Sequence, residues 1–315
     1  MTPELRDGRR SAHAAHLFVP ATRTDLPAKA AGGAASAVIL DLEDSVPAAE
    51  KLAARDLLPA AANTLREGGK SVLVRVNNTS SLLEGDVHAA LEAGVEALVL
   101  PKVEDRELLA MVDAWLDAWE RDNARAENSV ELELQIESPA GVLAAPTLAT
   151  VLPRIASMML GVEDLATELG IDPDGPDTDL AWAHGRVLMA ATAAGIWPYG
   201  LLGSFSNFRD LDTYRVAVRR SQAFGYVGAY CIHPDQAALA AEGFLPSAAE
   251  LEHARRVVEA YSQAESQGQS ATSLDGAMID RPIAVRSERL LARAAQSQAA
   301  PSTPAPPKNS APKDS

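Results

Sequence analysis

The most constraining feature of this chain is a set of short runs that are apolar at every residue rather than at every second one. Ala37-Val38-Ile39-Leu40 and Ala97-Leu98-Val99-Leu100 have no polar face, the pattern of a strand covered on both sides of a parallel sheet. Further short runs at 16–19, 71–76, 131–136, 157–160, 197–203 and 229–232 bring the expected strands to eight. Between them, stretches rich in Ala, Leu, Glu and Arg, such as 104–121 and 180–194, repeat at helical spacing. Eight strand–helix units predict an α/β fold, a parallel (β/α)₈ TIM barrel rather than an open sheet. The length of 315 residues agrees, because such barrels run to about 250 residues as one domain.

Composition removes several classes of function. With 43 acidic against 28 basic residues and a formal charge of −15, nucleic acid and anionic membrane surfaces are poor partners. The single Cys231 forms no intramolecular disulfide, and there is no CxxC metal motif. The opening residues contain no apolar signal core, and no run approaches the roughly 18 apolar residues of a membrane span. A soluble, reduced, cytoplasmic protein is expected.

The chain divides into an N-terminal segment 1–15, a barrel 16–246, a C-terminal helical extension 247–296 and a tail 297–315. Ser247 followed by Glu250 is a capping box, opening a helix whose apolar positions continue to about Ala264. The polar stretch 263–273 reads as a linker, and 279–295 as a further amphipathic helix. The last segment is mostly Pro, Ser, Ala and Lys with little to bury, so disorder is expected there.

In a parallel barrel the chemistry lies at the C-terminal strand ends. Here those ends carry Asp41-Leu42-Glu43-Asp44, Arg75 with Asn77, Lys102, Glu137, Gly161-Val162-Glu163-Asp164 and His233-Pro234. Any one charged residue after a strand is ordinarily a solvated loop or a helix cap. Six such ends on one rim suggest a site. Glu137 and Asp164 offer two hard oxygen ligands, which suit Mg²⁺ with its retained waters. Zinc fits worse, since His/Cys clusters are missing. Arg75 is a planar, permanently charged fork for an oxyanion or a carboxylate. Lys102, among carboxylates, suits a counter-ion better than a Schiff-base nucleophile. The competing reading is a salt-bridge belt closing the barrel mouth. His233 is set aside as a packed structural residue, Cys231 as a small core residue, and Trp115, Trp119 and Trp182 as core or interface.

These residues also carry a family resemblance. Leu17-Phe18-Val19-Pro20, Lys29-Ala30, Ile39-Leu40-Asp41-Leu42-Glu43-Asp44-Ser45-Val46 with Lys51 and Ala54-Arg55, and Val74-Arg75-Val76-Asn77 begin the pattern. Leu100-Pro101-Lys102-Val103, Gln135-Ile136-Glu137-Ser138-Pro139-Ala140-Gly141-Val142, Gly161-Val162-Glu163-Asp164-Leu165-Ala166, Phe224-Gly225-Tyr226-Val227-Gly228 and Ile232-His233-Pro234-Asp235-Gln236 continue it. Together they resemble the citrate lyase β-subunit-like family, which belongs with the HpcH/HpaI aldolases, over about residues 16–260. The resemblance implies a Mg²⁺-dependent carbon–carbon lyase that splits a short 3-hydroxyacyl-CoA into acetyl-CoA and a 2-oxo acid, or joins them. The substrates it implies are citramalyl-, malyl- or citryl-CoA, and the assembly a homotrimer or homohexamer.

Carried over by position, Glu137 and Asp164 become the Mg²⁺ ligands and Arg75 the group that stabilises the thioester enolate. Glu43, Asp44 and Lys102 become their supports. Asp275-Gly276-Ala277-Met278-Ile279-Asp280-Arg281-Pro282 resembles the segment that folds over a neighbouring subunit's site in citramalyl-CoA and malyl-CoA lyases. Asp280 then matches the general acid/base, with 263–273 as the flexible arm of a lid. The plainer reading is that Asp280 caps the last helix, and the two are compatible. Three positions depart from the family pattern: Ala14, beside His13 and His16, replaces an arginine that helps hold the CoA phosphates, Ala21 a glycine, and Ala229 a lysine. All three are expected where CoA would lie, which leaves Arg23 and Lys29 as candidate phosphate contacts. Three rival readings follow: malyl-CoA thioesterase or malate synthase-like hydrolysis, an aldolase acting on a free 2-oxo acid without CoA, and a non-enzymatic scaffold.

Overall fold

The computed structural model describes residues 12–173, 175, 178–204 and 206–299. Eight strands form one sheet: β1 (Ala15–Pro20), β2 (Ala37–Asp41), β3 (Ser71–Arg75), β4 (Ala97–Leu100), β5 (Glu131–Ile136), β6 (Ile155–Leu160), β7 (Trp197–Tyr199) and β8 (Ala229–Cys231). Their order runs from β8 through β1 to β7, every pair parallel. A bridge between Tyr199 and Gly228 joins the last two strands and closes the barrel. At that seam the Gly200 and Val227 amides donate to the carbonyls of Gly228 and Pro198, each at 3.1 Å. A Cβ on Gly228 would stand 2.1 Å from the His13 carbonyl oxygen, so only glycine lets the chains meet here.

The helices are α1 (Leu26–Ala31), α2 (Lys51–Glu67), α3 (Leu83–Glu92), α4 (Arg106–Asp122), α5 (Pro139–Leu148), α6 (Val162–Leu169), α7 (Ala181–Ala194), α8 (Leu211–Phe224), α9 (Pro234–Gly243), α10 (Ala248–Ser266) and α11 (Arg281–Ala299). None is long and apolar enough to cross a membrane. Successive strand residues point to opposite faces, and both faces are covered. Ile39, Leu73, Val99, Met159 and Tyr230 fill the lumen, while Val38, Leu40, Val74, Leu98 and Leu134 pack outward under the helices. Hence strands such as β2 and β4 are apolar on both faces up to their C-terminal ends.

The lumen also holds a paired acid. Glu133 is buried; its Oε2 accepts from the Tyr230 hydroxyl at 2.5 Å and lies 3.5 Å from His16 Nε2. Burial opposes its charge, yet His16 and Tyr230 hold its carboxyl below the usual range. Cys231 is buried too, and burial pushes its thiol up to about 12, as befits an inert core residue. Trp115 and Trp119 pack on the outer core, but Trp182 on α7 is 64% exposed.

The structure corrects the reading of 263–273 as a linker. Helix α10 continues to Ser266, and β9 (Ala271–Leu274) pairs antiparallel with β10 (Ala277–Asp280). Asp275 and Gly276 at the turn both have positive φ, 50° and 82°, the geometry of a tight hairpin turn. Ile279 is thus a strand residue, packed with Val257, Tyr261 and Ala284 between α10 and α11. Helix α11 runs to Ala299, so it enters the stretch expected to be tail. Residues 300–315 and 1–11, which hold the rest of that tail and most of the expected N-terminal segment, lie outside the described residues.

Candidate active site

Asp41 and Arg75 end neighbouring strands and are register partners. Arg75 Nε donates to Asp41 Oδ1 and Nη2 to Oδ2, each at 2.7 Å. The guanidinium also lies 4.5 Å from the Phe18 ring centroid, a cation–π contact, and its Nη1 forms a 3.0 Å ion pair with Glu43. Burial disfavours both charges, but each stabilises the other. The Asp41 carboxyl is held below its usual range and the Arg75 guanidinium above its own. Of the five N–H groups of an arginine fork, two are hydrogen-bonded to Asp41, and the Nη1 end carries only the ion pair with Glu43.

The loop after β2 is fixed from beneath. Lys51 on α2 donates to the carbonyls of Leu42 (3.1 Å) and Glu43 (2.7 Å) and to Asn77 Oδ1 (2.6 Å). Asn77 in turn donates to Leu42 O and to Asp86, which Arg55 neutralises at 2.7 Å. These contacts keep Glu43 buried beside Arg75 while Asp44 stays exposed. Burial raises the Glu43 pKa in spite of Arg75 and Lys102.

Lys102, after β4, joins the carboxylates. Its Nζ donates to Glu43 Oε1 at 2.7 Å and lies 3.6 Å from Asp44 and 3.7 Å from Asp164. Its backbone amide donates to Glu137 Oε2 at 2.9 Å. That aim requires a left-handed conformation (φ +53°), uncommon outside glycine. Asn78 Nδ2 secures it, donating to the carbonyls of Pro101 and Lys102 at 3.0 Å. Burial would lower the Lys102 pKa, but Glu43, Asp44 and Asp164 keep it above the usual lysine range. Its ammonium is thus a counter-ion to these carboxylates.

Glu137 follows β5 and is buried; Gln135 Nε2 donates to its other oxygen at 3.2 Å. Opposite stands Gly161, where a Cβ would fall 2.4 Å from Glu137 Cγ. Burial, then the charges of Asp164 and Glu43, push the Glu137 carboxyl up to about 8. Asp164, in the first turn of α6, is half-exposed at the same mouth. Among the described residues no three His, Cys, Asp or Glu side chains converge as a metal cage. Two hard carboxylates with an excess of negative charge and an open side nevertheless fit a divalent cation that keeps water or substrate oxygens.

The structure therefore gathers Arg75, Glu137, Asp164, Glu43, Asp44 and Lys102 at one mouth. Asp41, Phe18, Lys51, Asn77 and Asn78 join them in roles the sequence left unassigned. Arg23 and Lys29 stay apart on the β1–α1 side, both exposed and both paired with Asp25 at 3.0 and 2.9 Å. Asp280 also stays apart: its Oδ1 accepts from the Ile283 amide at 3.3 Å as the cap of α11. The helix it caps faces the N-terminal ends of β7 and β8, the other end of the barrel.

The three departures do not lie together within the chain. Ala14 precedes β1 and Ala229 begins β8, where the Ala229 amide donates to the Ala14 carbonyl at 3.1 Å. Within the chain both lie at the barrel floor, and only Ala21 borders the mouth. His233 caps α9 and stacks on Phe208 at 5.0 Å, a structural role.

Residues 14–234 match the HpcH/HpaI aldolase/citrate lyase family. The chain is 35% identical over 285 residues to an L-malyl-CoA/beta-methylmalyl-CoA lyase of Cereibacter sphaeroides, covering 84% of this chain and 89% of that protein. It is 29% identical over 278 residues to the citrate lyase subunit beta of Leuconostoc mesenteroides, covering 87% and 91%. Among solved structures, protein CitE from Mycobacterium tuberculosis in complex with magnesium, acetoacetate and coenzyme A superposes with a TM-score of 0.67. That match has 28% identity and covers 91% of this chain and 99% of the other.

Proposed function

The chain belongs to the HpcH/HpaI aldolase/citrate lyase family, and from that premise we propose that it is a carbon–carbon lyase of CoA esters. It splits a short 3-hydroxyacyl-CoA, of the malyl-, citramalyl- or citryl-CoA kind, into acetyl-CoA and a 2-oxo acid, or runs the condensation. Named lyases of malyl-CoA and citrate among its relatives support the class. The observation that carries the reading is the fork of Arg75, locked by Asp41 and facing the mouth where Glu137 and Asp164 lie.

Glu137 and Asp164 would hold Mg²⁺, as magnesium accompanies the related CitE structure; the ion supplies Lewis acidity and a template for the oxo-acid oxygens. The N–H groups of Arg75 not bonded to Asp41 stabilise the negative charge that develops on the thioester oxygen when the C–C bond breaks. Because Asp41 and Phe18 fix the guanidinium beforehand, no reorganisation is needed at that moment. Lys102 pairs with Glu43, lies close to Asp164 and, through its amide, aims Glu137.

Proton transfer at the acetyl carbon falls to Asp280. Since its own chain holds it on the floor side, it serves the mouth of a neighbouring subunit in a homotrimer or homohexamer. The decisive experiment incubates the protein and Mg²⁺ with acetyl-CoA or propionyl-CoA and glyoxylate, pyruvate or oxaloacetate, and identifies adducts by mass. An acyl-CoA adduct that is lost in Glu137→Ala supports the proposal. Turnover only of free hydroxy acids, or release of free malate from malyl-CoA without glyoxylate, overturns it.

A further inference from the structure

A cavity of about 750 Å³ lies at the barrel floor, between the N-terminal ends of β7 and β8 and the helix pair α10–α11. That volume falls among those of small-molecule sites. Ile196, Trp197 and Val227 on the barrel side and Val257, Ile283 and Leu290 on the helices make its interior largely apolar. It is separate from the mouth, because the strands run between the two.

The charged groups on its wall are unbalanced. Arg286, Arg289 and Arg293 all come from α11, three and four residues apart, and so form one stripe. His253 of α10 joins them. The one carboxylate is Glu250, whose Oε2 is engaged by the Ser247 amide at 2.8 Å in the capping box. Arg286 and Arg289 make no hydrogen bond or ion pair among the described residues. In a chain with 15 excess negative charges, the guanidiniums of Arg286 and Arg289 beside an apolar pit are complementary to an apolar body with an anionic head.

We propose that this floor cavity is a second binding site, for a medium-chain carboxylate whose tail enters the pit and whose head meets Arg286 and Arg289. The site does not rest on the lyase reading. A carboxylate there would bridge the barrel floor and the helix that begins beside Asp280.

Calorimetric titration of the full chain with octanoate, beside 1-octanol as its neutral counterpart, tests this. Octanoate is expected to saturate one site per chain, with octanol roughly tenfold weaker because the charge-assisted contacts are missing. The double variant Arg286→Gln/Arg289→Gln, altered only on exposed side chains, is expected to weaken octanoate by a similar factor. Leu290→Trp, which fills the pit, should abolish binding while circular dichroism stays unchanged. No binding at millimolar octanoate overturns the proposal. So does equal affinity for the alcohol, or an affinity that the double variant leaves intact, a result that stands even if Leu290→Trp fails to fold.

Discussion

Asp41 holds Arg75 by both arms of its carboxylate, with 2.7 Å contacts to Nε and Nη2. The pair is buried at a strand end, where both charges have lost most of their contact with solvent. Removing one partner of such a pair costs far more than the pair contributes, on the order of 3–5 kcal/mol. Asp41→Ala should therefore lower stability by about that amount in chemical denaturation, with Glu43 alone left to face the guanidinium. Asp41→Asn keeps the shape but releases one arm, so stability should fall less while kcat drops roughly 100-fold from a misplaced fork. An Asp41→Asn enzyme with unchanged kcat would remove Arg75 from the chemistry.

The same pair sets an acid limit. Because the Asp41 carboxyl is held below its unfolded value, its stabilisation is complete above the unfolded pKa and disappears as pH falls through the folded one. Melting temperature should decline as pH is lowered through the acid range, and Asp41→Asn should flatten that decline. Equal slopes in both proteins would contradict the assignment.

Glu137 behaves in the opposite sense. With its carboxyl pushed up to about 8, the cation-free fold binds a proton that the unfolded chain releases near pH 4. Stability from this group is therefore present at low pH and is lost as pH rises toward 8. A divalent cation displaces that proton, so Mg²⁺ should bind more tightly as pH rises to about 8 and release a proton on binding. Titrations in buffers of different ionisation enthalpy would measure this directly. Mg²⁺ binding without proton release at pH 7 would place the cation elsewhere.

Gly161 explains how Glu137 keeps its place. A methyl group there would meet Glu137 Cγ at 2.4 Å, so Gly161→Ala should displace the carboxylate, weaken Mg²⁺ binding at least tenfold and cost about 1–3 kcal/mol. Gly185 in α7 is the control: a Cβ there would meet nothing within 4 Å, and Gly185→Ala should stabilise by up to about 1 kcal/mol. Wild-type metal affinity in Gly161→Ala would count against Glu137 as a ligand.

The barrel is legible in the sequence because strands covered on both faces, β2 and β4 above all, are apolar without alternation. Six of the eight expected strands begin where β2, β3, β4, β5, β7 and β8 do, and the charged residues that follow β2 to β5 mark the mouth. Asp41 is less legible: in Asp41-Leu42-Glu43-Asp44 three acids look alike, and only strand register singles out the one beside Arg75. The β9–β10 hairpin escapes a sequence reading because its Ser and Thr residues hide the alternation, although Asp275-Gly276 is a strong turn signal. Asn78 carries no signal, since its role depends on the backbone of Lys102.

Asp280 provides the sharpest test of assembly. Its carboxylate caps α11 on the floor side, so catalysis by it requires a second subunit. Arg75→Ala and Asp280→Asn should each be nearly inactive, the latter by the 10²–10⁴-fold typical of a lost general acid/base. Co-expressed one to one and randomly assembled, they should regain about a quarter of wild-type activity. Half of the sites carry an intact Arg75, and half of those face an intact Asp280 from the neighbour in a closed ring. A site completed within one chain would give no recovery, because each variant chain would carry its own defect. Size-exclusion chromatography with light scattering should show trimers or hexamers in the same samples, and an active monomer would exclude the shared site outright.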